Sequence, residues 1–271
     1  MAKSTMPSQF ETGAPARSDT VFSDRIAASL MCANFEHLGR DLAALRRGGV
    51  RRLHLDFGDG QFVPNLPLGM EVFGALPRRP RWETECHLMI MEPGRLLDLF
   101  TPHTDLIIFH IEATANPSAL IMRIREAGRQ VGLAVNPETP VETLLPWLPY
   151  MDEVLVMAVD PGFAGGRFLP SVVGKVRRLR REINRLDRVI LIEVDGAVNA
   201  RTARKMVRAG ADRFVGGTSG LFREGLLEQN ARDLLAAIDG HLPGRSSLGK
   251  DGVSEPSTNE PIRPVTGEVL R

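Results

Sequence analysis

Three short segments of this 271-residue chain carry side chains whose types and spacing could do chemistry. The first reads Leu53-His54-Leu55-Asp56, the second Cys86-His87-Leu88-Met89, and the third Ile192-Glu193-Val194-Asp195-Gly196. In an extended strand, residues i and i+2 share a face. His54 and Asp56 therefore point one way while Leu53 and Leu55 point the other, and Glu193 and Asp195 stand against Ile192 and Val194 in the same manner. Two imidazoles and two carboxylates brought to one place could bind zinc or another divalent cation. The same four could equally be separate, hydrogen-bonded polar residues, and the residues alone leave both readings open.

The elements that must position these groups alternate regularly. Short apolar runs read as buried strands at 26–32, 52–56, 85–90, 106–111, 131–135, 153–157, 189–194 and 213–216. Each is followed by an amphipathic, helix-like stretch, at 36–47, 70–76, 94–100, 118–127, 141–148, 170–185, 200–209 and 226–238. Eight strand–helix units in about 215 residues predict an α/β chain folded as a closed (β/α)8 TIM barrel, a single domain over 25–243. A doubly wound sheet lacks support, since no G-x-G-x-x-G follows the first strand. Residues 1–24 and 244–271 lack core-forming periodicity, and the reading is of a flexible leader and a disordered tail.

Barrel chemistry sits at the C-terminal ends of the strands. The second and seventh strands lie on opposite sides of an eight-stranded ring, so Asp56 and Asp195 could face each other across one bound molecule. That arrangement suits removal of a proton from one face of a carbon centre and its return on the other. A free Asp, with a pKa of about 3.9, is a weak base for a carbon acid; a Lewis-acidic cation would answer that weakness. Glycine-rich loops follow three consecutive strands: 160–166, Gly196-Ala197, and 216–220. In this architecture such loops and nearby helix N-termini are suited to a phosphate group.

At these residues the chain resembles the ribulose-phosphate 3-epimerase family. The likeness runs from 26 to 222 and rests on Ile26-Ala27-Ala28-Ser29-Leu30-Met31, Leu53-His54-Leu55-Asp56, Asp59-Gly60-Gln61-Phe62-Val63-Pro64-Asn65, Cys86-His87-Leu88-Met89, Asn136-Pro137-Glu138-Thr139-Pro140, Val159-Asp160-Pro161-Gly162-Phe163-Ala164-Gly165 and Glu193-Val194-Asp195-Gly196. The resemblance implies a metal-dependent isomerase that inverts C3 of a ketose phosphate, with His54, Asp56, His87 and Asp195 as ligands. The ion would be zinc by preference, with Mn2+, Fe2+ or Co2+ as alternatives. Asp56 would accept the proton and Asp195 donate it, the roles exchanging in reverse. Ser29 and His87 would touch substrate, and Gly162, Phe163, Ala164, Gly165, Gly196, Ala197, Gly217 and Thr218 would cradle its phosphate. A homo-oligomer is implied as well.

The chain also departs from the family pattern. Gly58 stands where the family usually has Met, which predicts extra room beside the substrate. Ala197 and Gly166 replace a common Gly and Gln. The stretches Ser29-Leu30-Met31-Cys32, 137–142, Asp160-Pro161 and 217–222 look more like the allulose-6-phosphate 3-epimerase branch, which suggests a six-carbon ketose phosphate as the alternative to ribulose 5-phosphate.

Rival readings fit less well. A Schiff-base aldolase needs a strand-end Lys, but the four lysines, Lys3, Lys175, Lys205 and Lys250, fall in predicted helices and tails. A metal-dependent hydrolase commonly carries His-x-His where this chain has His-x-Asp. A non-catalytic sugar-phosphate-binding barrel would not need every acid, base and ligand position filled. The net charge of +1 gives no reason to expect a nucleic-acid or membrane partner, and a cytoplasmic location is the expectation. His110 and Glu112 share a face at the end of the fourth strand and could back the site's polar residues, but the favoured reading is a structural polar pair; Asp59 reads as a turn residue, and Cys32 and Cys86 as reduced thiols.

Overall fold

The structure, a computed structural model, describes residues 24–79 and 81–240. The leader and tail expected at the two ends fall outside these residues, apart from Asp24. Eight parallel strands close into a barrel in sequence order: β1 (Ile26–Ser29), β2 (Arg52–Gly58), β3 (Glu83–Met89), β4 (Leu106–His110), β5 (Gln130–Val135), β6 (Glu153–Met157), β7 (Leu191–Asp195) and β8 (Arg213–Gly216). The ring is completed by β1 against β8, with Ala27 opposite Val215. The expected TIM barrel is therefore the fold.

Alternation along each strand produces two separate interiors. Leu53, Leu55, Phe57, Cys86 and Leu88 point outward into the shell between strands and helices. Leu106, Ile108, Ala134, Leu155, Met157 and Val215 pack together inside the barrel. Gly132 is one of the tight points there, since a Cβ would lie 2.6 Å from the Ile108 side chain. Toward the N-terminal end the filling is ionic: Arg52, Glu85, Glu153, Glu193 and Arg213 are all buried.

The helices are α1 (Leu38–Arg47), α2 (Val72–Ala75), α3 (Leu97–Phe100), α4 (Pro117–Glu126), α5 (Val172–Ile183), α6 (Ala200–Ala209) and α7 (Leu227–Asp239). Their ends follow local chemistry. Asn116 caps α4 ahead of Pro117, and Asn199 with Thr202 forms a reciprocal capping box on α6, which closes at Gly210 with φ 109°.

Three expected helices come out differently. The stretch 141–148 is not an α-helix but 3-10 turns at Val141–Thr143 and Leu148–Tyr150. Pro146 and Pro149 have no amide proton to donate, and a proline ring blocks the carbonyl four residues earlier. Helix α2 is a single turn, hemmed by Gly69 and Pro77. The stretch 94–100 divides into a 3-10 turn, Pro93–Arg95, and α3. The first strand also stops early: the chain turns at Leu30–Cys32, which leaves Ser29 as the last strand residue at the barrel mouth.

Candidate active site

The strand register sets the site. His54 is opposite Glu85 and Asp56 opposite His87 across β2 and β3, while Ser29 is opposite His54 across β1 and β2. On β7, Asp195 lies beside Met157. Ligand atoms of His54, Asp56, His87 and Asp195 all lie within 4.8 Å of one another. Asp56 and Asp195 both line one open cavity at the C-terminal mouth. His54 and His87 are fully buried beneath it.

Asp56 is the hub. Its Oδ1 is 3.2 Å from both His54 Nε2 and His87 Nδ1, and its Oδ2 accepts from Ser29 Oγ at 2.9 Å. The two ring nitrogens are 3.3 Å apart. On its far side, His54 Nδ1 meets Glu85 Oε1 at 2.7 Å. Burial opposes ionisation of Glu85, but His54 and Arg52 outweigh it and hold the carboxyl down at about 2. An ionised carboxylate only accepts, so the His54 proton sits on Nδ1 and Nε2 offers a lone pair. His87 Nε2 meets His110 Nε2 at 2.8 Å, and His110 Nδ1 meets Glu112 Oε2 at 3.3 Å. Burial pushes His110 down to about 4, so it is neutral near pH 7. Despite its own burial, Glu112 is held at about 2 by its bonds to His110 and Thr139 and by the Asn136 amide.

One proton assignment satisfies this whole chain: Nδ1–H of His110 donates to Glu112, and Nε2–H of His87 donates to His110. Three lone-pair-bearing atoms, His54 Nε2, His87 Nδ1 and Asp56 Oδ1, then converge with no proton between them. Such a donor set needs a cation, either one proton or one metal ion. The ring of His54 is accordingly pushed well above its usual range: burial opposes the charge, and Asp56 and Glu85 prevail. These residues fit a divalent ion.

The two carboxylates facing the cavity are driven apart. Burial would raise Asp56, but His54 and His87 hold it well below the ordinary carboxylate range. Asp195 is raised, by burial first and then by the charge of Asp56, against the pull of His54. Asp56 is thereby kept ionised and open to accept a proton, while Asp195 holds a proton more readily than an ordinary carboxylate.

Every expected phosphate-cradle residue borders the same cavity: Gly162, Phe163, Ala164, Gly165, Gly196, Ala197, Gly217 and Thr218. Gly196 and Ala197 both have positive φ, 103° and 51°. Ala197 is thus a non-glycine residue in the left-handed region, the kind of local strain that persists where the surroundings enforce it. Met89 and Met157 also line the wall. Asp59 is a turn residue as expected: it accepts from the amides of Gln61 and Phe62, and its second oxygen accepts from Met91 N at 2.8 Å.

Gly58 corrects the sequence reading. A Cβ there would lie 2.6 Å from the backbone oxygen of Asn65 and 2.9 Å from both Pro67 and Val63. The room expected from the missing Met side chain is filled by the chain's own loop. That loop continues to the glycine-rich one, since Asn65 Nδ2 donates to Gly162 O at 2.6 Å. Gly58→Ala is expected to cost about 1–3 kcal/mol through overpacking against backbone and to raise KM as the Asn65–Gly162 link shifts. Thermal unfolding and steady-state kinetics measure both, and an unchanged Tm with unchanged KM would count against this packing.

Sequence reasoning missed Glu85, and it favoured a structural polar pair for His110 and Glu112 over groups that back the site. The signal for Glu85 was present, because Glu85 and His87 share a face by the same period of two that paired His54 with Asp56. No such local rule connects His110 to His87.

Barrel and site together define the class: a TIM-barrel enzyme with paired carboxylates and imidazoles at the C-terminal ends of its strands. Comparison with known proteins narrows this. The profile described as "Ribulose-phosphate 3 epimerase family" matches residues 25–222. A ribulose-phosphate 3-epimerase of Mycobacterium bovis is 40% identical over 198 residues, covering 72% of this chain and 84% of the relative. One from Schizosaccharomyces pombe is 39% identical over 199 residues, covering 72% and 86%. Among solved structures, 3-hexulose-6-phosphate synthase from Salmonella typhimurium superposes with a TM-score of 0.60 at 15% identity, covering 80% of this chain and 99% of that one; at that identity the likeness is one of fold. The chain belongs to the ribulose-phosphate 3-epimerase family, and it is an isomerase, an epimerase of carbohydrate metabolism. Among the described residues, no helix is long and apolar enough to cross a membrane.

Proposed function

We propose that this chain is a divalent-metal-dependent 3-epimerase interconverting D-ribulose 5-phosphate and D-xylulose 5-phosphate. The observation that carries the reading is the pair Asp56 and Asp195, both open to one cavity and with opposite shifts in acidity. Ionised Asp56 takes the C3 proton from one face of the ketose. Asp195, the more readily protonated partner, returns a proton to the opposite face of the planar enediolate. In the reverse direction the roles exchange. Ser29 donates to Asp56 and keeps its second oxygen in place. The glycine-rich loops after β6, β7 and β8 hold the phosphate by backbone N–H groups. His54, Asp56, His87 and Asp195 would hold the ion, with zinc the best match to this set. When bound, a divalent ion supplies Lewis-acid stabilisation of the negative charge that develops on substrate oxygens.

The catalytic domain is taken to span 25–243, and the enzyme to work as a cytoplasmic homo-oligomer. For the pentulose, support comes from relatives at 37–40% identity named for ribulose phosphate and from the loop that fills the space beside Gly58. The stretches resembling the allulose-6-phosphate branch favour D-allulose 6-phosphate and D-fructose 6-phosphate instead. Measuring kcat/KM on ribulose 5-phosphate and allulose 6-phosphate with metal-replete enzyme decides between them. The expected result is a preference for the pentulose of at least about tenfold, the scale of a single carbon unit's contacts. Equal or better use of the hexulose overturns the substrate assignment. Release of inorganic phosphate or of carbon fragments would point to hydrolysis or aldol cleavage.

A further inference from the structure

We propose that His110 and Glu112 are positioning residues that fix His87 in the tautomer with a bare Nδ1, and thereby set how tightly the site holds its ion. The inference rests on the metal reading above. Its geometric basis is a relay running away from the site. Nε2 of His87 is 2.8 Å from Nε2 of His110, and Nδ1 of His110 is 3.3 Å from Glu112 Oε2. Oε1 of Glu112 accepts from the Asn136 amide at 2.9 Å, which anchors the carboxylate at the end of β5. Both imidazoles are fully buried. They stack with centroids 5.0 Å apart at 27°, and Phe62 covers His110 from 4.7 Å. No rotation of either ring is needed to make these bonds.

The two ligand imidazoles are thus anchored differently. His54 is held directly by a carboxylate, Glu85. For His87 the carboxylate is one imidazole further out. A neutral imidazole has a single N–H, so its tautomer transmits direction. With the proton of His110 committed to Glu112, its Nε2 must accept, and His87 must donate from Nε2. Reversing the relay would place a proton on His87 Nδ1, pointed at Asp56 and into the cation site. Glu112 therefore decides, two bonds away, whether the ligand atom is free.

The test compares His110→Phe with His110→Gln, using cobalt(II) as the probe and measuring affinity by chelator competition and by the visible spectrum of the bound ion. Phe keeps the ring volume and stacking but cannot accept a hydrogen bond. Gln loses the ring but offers a carboxamide oxygen to His87 Nε2–H. The expected result is a loss of about 10–100-fold in affinity for H110F, the usual scale for groups that orient metal-bound histidines, with substantial recovery in H110Q. A role in packing alone gives the opposite order. Should H110F fail to fold, Glu112→Gln reads the same relay from its far end. An amide can donate as well as accept, so both tautomers become accessible and affinity should fall several-fold. Wild-type affinity in whichever of H110F and E112Q folds overturns the relay. A wild type that binds no cobalt overturns the metal reading itself, and the relay with it.

Discussion

Asp195→Asn is expected to lower kcat by about 10³-fold or more, within the 10²–10⁴ range of a lost general acid–base group, while leaving sugar-phosphate binding within a few-fold. The carboxamide keeps the shape of the side chain at the end of β7 and one oxygen toward the cation site, but it has no proton to exchange near neutral pH. Asp56, on β2, is untouched. The two-base arrangement then makes a finer prediction in D2O. The epimer whose C3–H faces Asp56 should exchange that hydrogen with solvent and be recovered unconverted. The wild type instead places deuterium in the product. Metal content measured on the same preparation separates loss of chemistry from loss of ion. If D195N retained a tenth or more of wild-type turnover, or if exchange vanished together with conversion in metal-loaded enzyme, the assignment of one carboxylate to each face would be wrong.

Arg213→Ala is expected to destabilise the folded barrel by about 3–5 kcal/mol, the cost of breaking a buried ion pair from one side. Arg213 bonds the Glu153 carboxylate and the backbone oxygen of Asp24, and lies 3.6 Å from the Asp24 carboxylate. Its partner cation, Arg52, meets Asp24 at 2.6 Å and Glu85 at 3.4 Å. These two guanidiniums sit among five carboxyl groups: Asp24, Glu85, Glu153 and Glu193, with the more exposed Glu83 2.7 Å from Arg52. Burial and the neighbouring Glu85 and Glu153 push Glu193 well above the ordinary range. Removing Arg213 leaves Glu153 without its closest cation, in a place water does not reach. At about 2–4 °C per kcal/mol for a chain of this size, Tm should fall by roughly 10 °C. Arg213→Lys should recover only part, because an ammonium cannot span two partners as a planar fork does. Pairing Arg213→Met with Glu153→Leu should cost clearly less than the two single changes added together, since no orphaned charge remains. A loss below about 1 kcal/mol for R213A would show that this ion pair is not what holds the floor.

Much of this was open to reading along the chain. Eight apolar runs separated by amphipathic stretches leave few architectures, and seven of the eight helix-like stretches are helical for most of their length or contain a helical turn. The segment 141–148 failed because its apolar spacing suited a helix while Pro146 and Pro149 forbade one, and a local steric veto outranks a period. The residues proposed as ligands were legible for a simple reason. Within one strand, alternate residues share a face, so His54 with Asp56, and Glu193 with Asp195, declare their direction without reference to the rest of the fold.

Direction within a strand is local, but neighbourhood across strands is not. The sequence determined which side chains look into the barrel and that β2 and β7 stand apart on its ring. Only closure of that ring, and the register of each strand against the next, decided that His87 lies beside Asp56, that His110 backs His87, and that Arg213 reaches Glu153. Gly58 makes the same point from the opposite side: its lack of a side chain suggested space, and packing of residues 63–67 onto it removed that space. Distances of a few ångströms between residues far apart in the chain depend on the sum of every packing contact around the barrel, and no short segment contains that sum.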